Sequence, residues 1–229
     1  MIRLRGVHHA YGDTVVLDGV DLELTEPRIG VVGANGSGKS TLARMLNGLV
    51  LPSRGSVTVD GLDTRRDGPA VRRQVGFVFT DPDAQIVMPT VAEDVEFSLR
   101  RHQLSRAERR ARVTDALERY GLTGLGDRPA HLLSGGQKQL LALAAVLVTE
   151  PTVLVCDEPT TLLDLRNSLR VAELVAALPQ QVVMVTHHLD LLVDYDRVIV
   201  IDQGRVAYDG APHAAIAHYR GLMQVAKRR

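Results

Sequence analysis

Nine consecutive residues, Gly33-Ala34-Asn35-Gly36-Ser37-Gly38-Lys39-Ser40-Thr41, constrain this chain more than any other stretch. An apolar run, Ile29-Gly30-Val31-Val32, precedes them, and a helical pattern, Leu42-Ala43-Arg44-Met45-Leu46, follows. The order is strand, glycine loop, helix. Glycines here let the backbone turn tightly and present successive N–H groups to a phosphate chain, while the helix behind contributes roughly half a positive elementary charge. Lys39 is placed to reach the outer phosphates and Ser40 to hold Mg²⁺, which makes this a P-loop in its required context. The alternative is a glycine-rich turn that binds nothing.

The charge balance narrows the partners. Lysine plus arginine and aspartate plus glutamate number 27 each, so the formal net charge is zero. That removes the electrostatic case for a primary nucleic-acid binder, and no nucleic-acid partner is expected. Cys156 is the single cysteine, so an internal disulfide is impossible and a reducing compartment is the natural expectation. The apolar run from Leu140 to Val148 falls far short of the roughly 20 residues of a membrane helix. The first residues, Met1-Ile2-Arg3-Leu4-Arg5, show no signal-peptide pattern.

Along the chain, the pattern from Ile2 to about Leu24 predicts antiparallel strands around a Tyr11-Gly12-Asp13 turn, with Val20 to Leu24 in strict alternation. Tyr11 is either a packed turn aromatic or a ring on which a base stacks. Gly55 to Gly61 reads as a short strand, and Val75 to Phe79 as a buried strand ending at Thr80. From about Thr90 to Glu150 the β/α alternation stops and helices take over. Thr90-Val91-Ala92-Glu93 and Ser105-Arg106-Ala107-Glu108 both have capping-box form. The run of Arg100, Arg101, Arg106, Arg109, Arg110 and Arg112 reads as a solvated face or a dock for an acidic partner. Alternation resumes with a strand at Val153 to Cys156, a helix from about Arg166 to Leu178, strands at Val182 to Thr186 and Val198 to Ile201, a hairpin partner at Val206 to Tyr208, and a last helix running from Pro212 to Lys227-Arg228-Arg229. The expectation is one α/β unit over residues 1–229, with a helical subdomain at about 81–150 inserted in the core.

The chemistry gathers at strand ends. Four apolar residues, Val153 to Cys156, lead into Asp157-Glu158, and a buried strand releases acidic side chains only where it emerges, at the carboxyl edge where open α/β sheets bind ligands. Asp157 suits the Mg²⁺ shell; Glu158 suits the orientation or deprotonation of an attacking water. Thr186-His187-His188 ends the next strand likewise, which offers His187 to a γ-phosphate. Leu133-Ser134-Gly135-Gly136-Gln137 opens an apolar helix. Ser134 and Gln137 make a capping box, yet two consecutive glycines weaken a helix start and suggest a backbone that approaches a ligand. One phosphate hardly touches both this segment and the P-loop of the same chain.

In this order and spacing, the loop 33–41, residues 133–137, Val153 to Glu158, Leu162-Leu163-Asp164 and His187 resemble the nucleotide-binding subunit of an ATP-binding cassette (ABC) transporter. The resemblance covers essentially the whole chain. It implies the ABC ATPase fold: a P-loop NTPase core with an N-terminal antiparallel β subdomain and an inserted α-helical subdomain. It further implies ATP and Mg²⁺ as cofactors, and a head-to-tail dimer that sandwiches ATP between one subunit's P-loop and the other's Ser134-Gly135-Gly136-Gln137. By the same resemblance Tyr11 stacks on the base, Asp164 couples the two sites, and His187 is the γ-phosphate switch.

Val75 to Phe79, Asp81 to Gln85 and Thr90 to Val95 are most similar to energy-coupling factor (ECF) ATPases, which drive vitamin and metal-ion uptake. The short C-terminal form is similar to the biotin-type subunit, with cobalt or nickel systems next. That implies a membrane location at the cytoplasmic face, a second ATPase subunit (a copy or a paralogue), a transmembrane coupling protein and a substrate-binding membrane protein. There are departures. Thr80 stands where most of the family has a glutamine touching Mg²⁺ and water, so Thr80 works through water, Gln85 substitutes, or hydrolysis is tuned differently. Leu162-Leu163-Asp164-Leu165 lacks the usual small residue and proline. Two other classes compete: a soluble ABC ATPase acting in DNA repair or translation, and a P-loop kinase or GTPase, for which Ser134-Gly135-Gly136 is pointless.

Overall fold

The computed structural model describes residues 1–226, with nothing said of the Ala226 side chain; the expected helix end at Lys227-Arg228-Arg229 lies outside the described residues. Two sheets organise it. Strands β1 (Ile2–Tyr11), β2 (Thr14–Leu24), β4 (Arg54–Val59) and β5 (Leu62–Asp63) form an antiparallel sheet in the order β2-β1-β4-β5. Tyr11 belongs to the strand rather than the turn, paired with Thr14 across a Gly12-Asp13 loop. Gly12 holds φ +58, the left-handed conformation such tight loops need. Thr14 to Leu24 form one long strand whose pairing with β1 slips at bulges.

The second sheet runs β10-β9-β3-β8-β7-β6, with β3 (Arg28–Val32), β6 (Val75–Val78), β7 (Val153–Asp157), β8 (Gln181–Val185) and β9 (Arg197–Asp202) parallel and β10 (Arg205–Gly210) antiparallel at the edge. The parallel strands are apolar throughout because both faces are covered. Alternate residues divide between two cores. Val31, Val155 and Val183 join α1 (Lys39–Leu46) and the antiparallel sheet, while Val32, Leu154, Cys156 and Met184 face the helices. Every parallel strand therefore contributes to both cores, and its end residues are fixed in depth and direction.

Helix α2 (Gly68–Gln74) leads into β6, and between β6 and β7 lie α3 (Val91–Ser98), α4 (Arg106–Arg119) and α5 (Gly135–Leu147). All three start on completed capping boxes, Thr90 with Glu93, Ser105 with Glu108 and Ser134 with Gln137, each N-cap hydroxyl contributing about 1 kcal/mol. The arginine run is partly paired: Arg109 meets Glu96 at 3.6 Å, Arg112 meets Glu150 at 3.6 Å, and Arg100 lies over the Phe97 ring. Helix α6 (Leu165–Ala176) and α7 (Pro212–Ala226) complete the chain. Leu189–Leu192, between β8 and β9, is a 3₁₀ turn. No helix among the described residues is long and apolar enough to cross a membrane.

Candidate active site

Strands β3, β6, β7 and β8 all end at one edge, beside the point where the chain passes from β8 on one side of β3 to β9 on the other. Such switch points leave a crevice at the carboxyl ends of the strands. A cavity of about 640 Å³ opens there, walled by Gly36, Lys39, Ser40, Glu158 and His187 among others.

The loop 33–38 is held by its neighbours. A Cβ on Gly33 would lie 2.3 Å from the Ile201 carbonyl oxygen, and one on Gly38, at φ +103, would lie 2.5 Å from that of Val16. Only glycine fits either place. The Ser37 carbonyl accepts the Gly204 N–H at 3.0 Å, and the Gly204 carbonyl accepts the Asp18 N–H at 2.9 Å. Gly36, at φ +78, has open space where its Cβ would be.

Lys39 tests whether a phosphate chain fits. It is 6% exposed, and the only hydrogen bond of its ammonium among the described residues goes to a neutral carbonyl, that of Ala34 at 3.2 Å. A buried cation without an anionic hydrogen-bond partner is costly, and a phosphate supplies the missing charge. The buried Ser37 hydroxyl likewise has no partner. The cation site fits as well: the Ser40 hydroxyl donates to Asp157 Oδ1 at 2.8 Å, and Asp157 is 1% exposed, with Arg44 at 3.5 Å from Oδ2. Burial pushes the Asp157 carboxyl above its ordinary range, against the pull of Ser40 and Arg44; a divalent cation beside it would favour the carboxylate.

Glu158 holds φ +55, a left-handed backbone that costs a non-glycine residue about 1–3 kcal/mol and concentrates at functional sites. Its N–H donates to the Val185 carbonyl at 2.9 Å, extending the β7–β8 ladder past Asp157. Glu158 Oε2 accepts the Thr161 hydroxyl at 2.8 Å and lies 2.5 Å from His187 Nδ1. The two residues assigned separate roles from sequence are thus in direct contact. An imidazole engaged through Nδ1 keeps Nε2 for a phosphate oxygen, and Nε2 donates only when it too carries a proton.

Other expected residues lie elsewhere. Thr80 lines the cavity, but its hydroxyl donates to the Asp157 carbonyl at 2.7 Å, tying the β6 end to β7. Gln85, one of the three alternatives for the missing glutamine, engages backbone: its Oε1 accepts the Phe79 N–H at 3.1 Å and its Nε2 donates to the Ala142 carbonyl at 3.2 Å, and it is not among the cavity walls. Tyr11 is 52% exposed at the end of β1, edge-on to His9, and is not a cavity wall. Ser134 and Gly135 are exposed and equally absent from the walls. Asp164 caps α6, accepting the Asn167 N–H at 2.8 Å and its Nδ2 at 3.0 Å. Asn167 in turn fills the space beside Gly136, so packing is one demand on that glycine, while Gly135 meets nothing closer than 4.0 Å.

Sequence reasoning missed three wall residues, Thr161, Tyr219 and Met223. Thr161 follows Glu158 by three positions, a spacing that carries a signal; Tyr219 and Met223 lie on the last helix, where no motif points to them.

Comparison with known proteins decides the family. The ABC transporter family model matches residues 17–161. The chain belongs to the ABC transporter family. A putative ABC transporter ATP-binding protein of Deinococcus radiodurans is 56% identical, covering 97% of this chain and 99% of the relative. The biotin transport ATP-binding protein BioM of Rhizobium etli is 46% identical over 93% of this chain and 95% of its own. Among solved structures, cbiO1 of Clostridium perfringens, part of the transporter complex cbiONQ, superposes with a TM-score of 0.84 at 34% identity, covering 99% of this chain and 94% of its own. The cassette MJ0796, solved as a dimer bound to ADP and Pi, gives 0.80 at 28% identity over 93% of this ABC chain and 99% of its own. The fold is that of the ABC ATPases, and the enzyme class is ATPase.

Proposed function

We propose that this ABC ATPase is the energy-coupling subunit of an ECF-type importer, acting as a dimer at the cytoplasmic face of the membrane with a transmembrane coupling protein and a substrate-binding membrane protein. One observation carries the dimer: the helix start is exposed at Ser134 and Gly135, and residues 134–137 are absent from the walls formed by Lys39, Glu158 and His187. The capping box engages the N–H groups of Ser134 and Gln137 and leaves those of Gly135 and Gly136 to an anion at the helix N-terminus, and a second chain's ATP supplies it. Residues 1–229 act as one nucleotide-binding unit, with the helical subdomain at about 81–150 presenting this segment. Similarity to a biotin transport subunit and to cbiO1 supports a vitamin or metal ion as the solute, biotin first, then cobalt or nickel.

Within the site, the loop 33–41 binds the phosphates, with Lys39 against the outer ones. Ser40 and Asp157 hold Mg²⁺, which when bound neutralises phosphate oxygens. Glu158 orients and accepts a proton from the attacking water, kept in place by Thr161 and His187. Asp164 links this machinery, through Asn167, to the Gly136 helix of its own chain. Tyr11 stacks on the base, its exposed ring being free to do so.

The test pairs two variants. Glu158→Gln binds ATP, turns over about 10²–10⁴-fold more slowly, and elutes as an ATP-dependent dimer; Lys39→Ala loses ATP binding and stays monomeric. A Glu158→Gln chain that remains a monomer in saturating ATP, alone and with its copurifying membrane partner, sinks the proposal.

A further inference from the structure

The cavity that contains Lys39, Glu158 and His187 has a wall from an unexpected source, the last helix. Tyr219 and Met223 stand four residues apart on α7, on one face of the helix. Ala215 and Ile216, one turn earlier, are buried against the core and hold that face to β9 and β10. Tyr219 packs against the same core, only partly exposed, and still borders the cavity. A tyrosine anchored this way by its ring offers a polar tip of fixed position. Its hydroxyl has no hydrogen-bond partner among the described residues. Burial, with the Glu158 and Asp202 carboxylates nearby, pushes its ionisation upward, so it stays a protonated donor at physiological pH.

We propose that Tyr219 is a further residue of the nucleotide site, its hydroxyl donating to an oxygen of the terminal phosphate while Met223 excludes water behind it. The proposal rests on the nucleotide reading of the cavity and adds a contact from outside the phosphate-loop motifs. It shares the cavity walls with Glu158 and His187, the residues set against the phosphate that ATP has and ADP lacks. It also makes α7 responsive to that phosphate.

Tyr219→Phe keeps the ring and removes one oxygen. Isothermal titration of the full chain with Mg²⁺ and AMP-PNP, a slowly hydrolysed ATP analogue, and separately with ADP, reads the contact. Loss of one neutral hydrogen bond weakens AMP-PNP binding about 3- to 10-fold, while ADP affinity and the melting temperature hold. A merely structural role moves both nucleotides together, or the melting temperature. An AMP-PNP to ADP affinity ratio equal to the parent's overturns the Tyr219 contact alone. A parent chain that binds neither nucleotide overturns the nucleotide reading, and the contact with it.

Discussion

Replacing Gly136 by alanine asks whether that glycine serves the fold or the nucleotide. The added Cβ would lie 2.5 Å from Asn167 Cγ, 2.6 Å from Oδ1 and 2.9 Å from Nδ2. Real contacts are not that short, so Asn167 must move. It is not free to do so cheaply, because its amide and its N–H both hold the Asp164 carboxylate. Overpacking of this kind costs about 1–3 kcal/mol. The exposed Asn167–Asp164 bond adds at most about 1 kcal/mol, and the better helix propensity of alanine offsets about 1 kcal/mol. The net expectation is about 2 kcal/mol of destabilisation, or roughly 4–8 °C in melting temperature for a chain of this size. Urea unfolding of the nucleotide-free protein reads it, in a cycle of Gly136→Ala, Asn167→Ala and the double variant. Asn167→Ala removes all three clashing atoms, so the double variant should recover most of the loss, a coupling of about 1.5–2 kcal/mol. An unchanged cost in the Asn167→Ala background, or no cost at all without nucleotide, refutes the packing explanation.

Two other expectations follow from burial. Asp94 is 4% exposed and accepts the N–H groups of Val87 and Met88 at 2.8 and 3.0 Å, yet burial raises its pKa above the ordinary 3.8. Its contribution to stability is therefore fully present below the unfolded value and lost as pH rises through the folded one. Asp94→Asn keeps an accepting oxygen without the charge, and should melt higher than the parent at pH 7, with the gap closing toward pH 4; a lower melting temperature at pH 7 contradicts this. Cys156 is fully buried, and burial, with the Asp157 charge adding, pushes its thiol up to about 12. At pH 8 about one thiol in 10⁴ is ionised, so iodoacetamide should label the native chain only as fast as it unfolds; labelling at the rate of a free cysteine refutes the assignment.

What the sequence made legible was local. Residues 29–46 carry their strand, loop and helix in apolar spacing and glycines, and Val153 to Glu158 announces a buried strand with an acidic end. What it concealed depended on distant neighbours. Gly136 is required by Asn167, 31 positions along the chain, a fact no capping pattern contains. The amide of Gln85 is taken up by the Phe79 N–H and the Ala142 carbonyl, the latter 57 positions away. Glu158 and His187 end different strands, and only the pairing of β7 with β8 brings them together. Tyr219 was silent because it owes its place to the packing of α7, and a tyrosine among alanines in a helix has many reasons to exist.

The bracing of residues 33–38 by Gly204, Ile201 and Val16 has a kinetic consequence. A recognition loop that must organise around its ligand forfeits affinity to ordering, and its capture rate is limited by how often the right shape appears. Here backbone from the strands around it fixes the shape before any anion arrives. Arrival and departure of an anion at this loop are thereby freed from loop rearrangement, which leaves diffusion and contact breaking to set their rates.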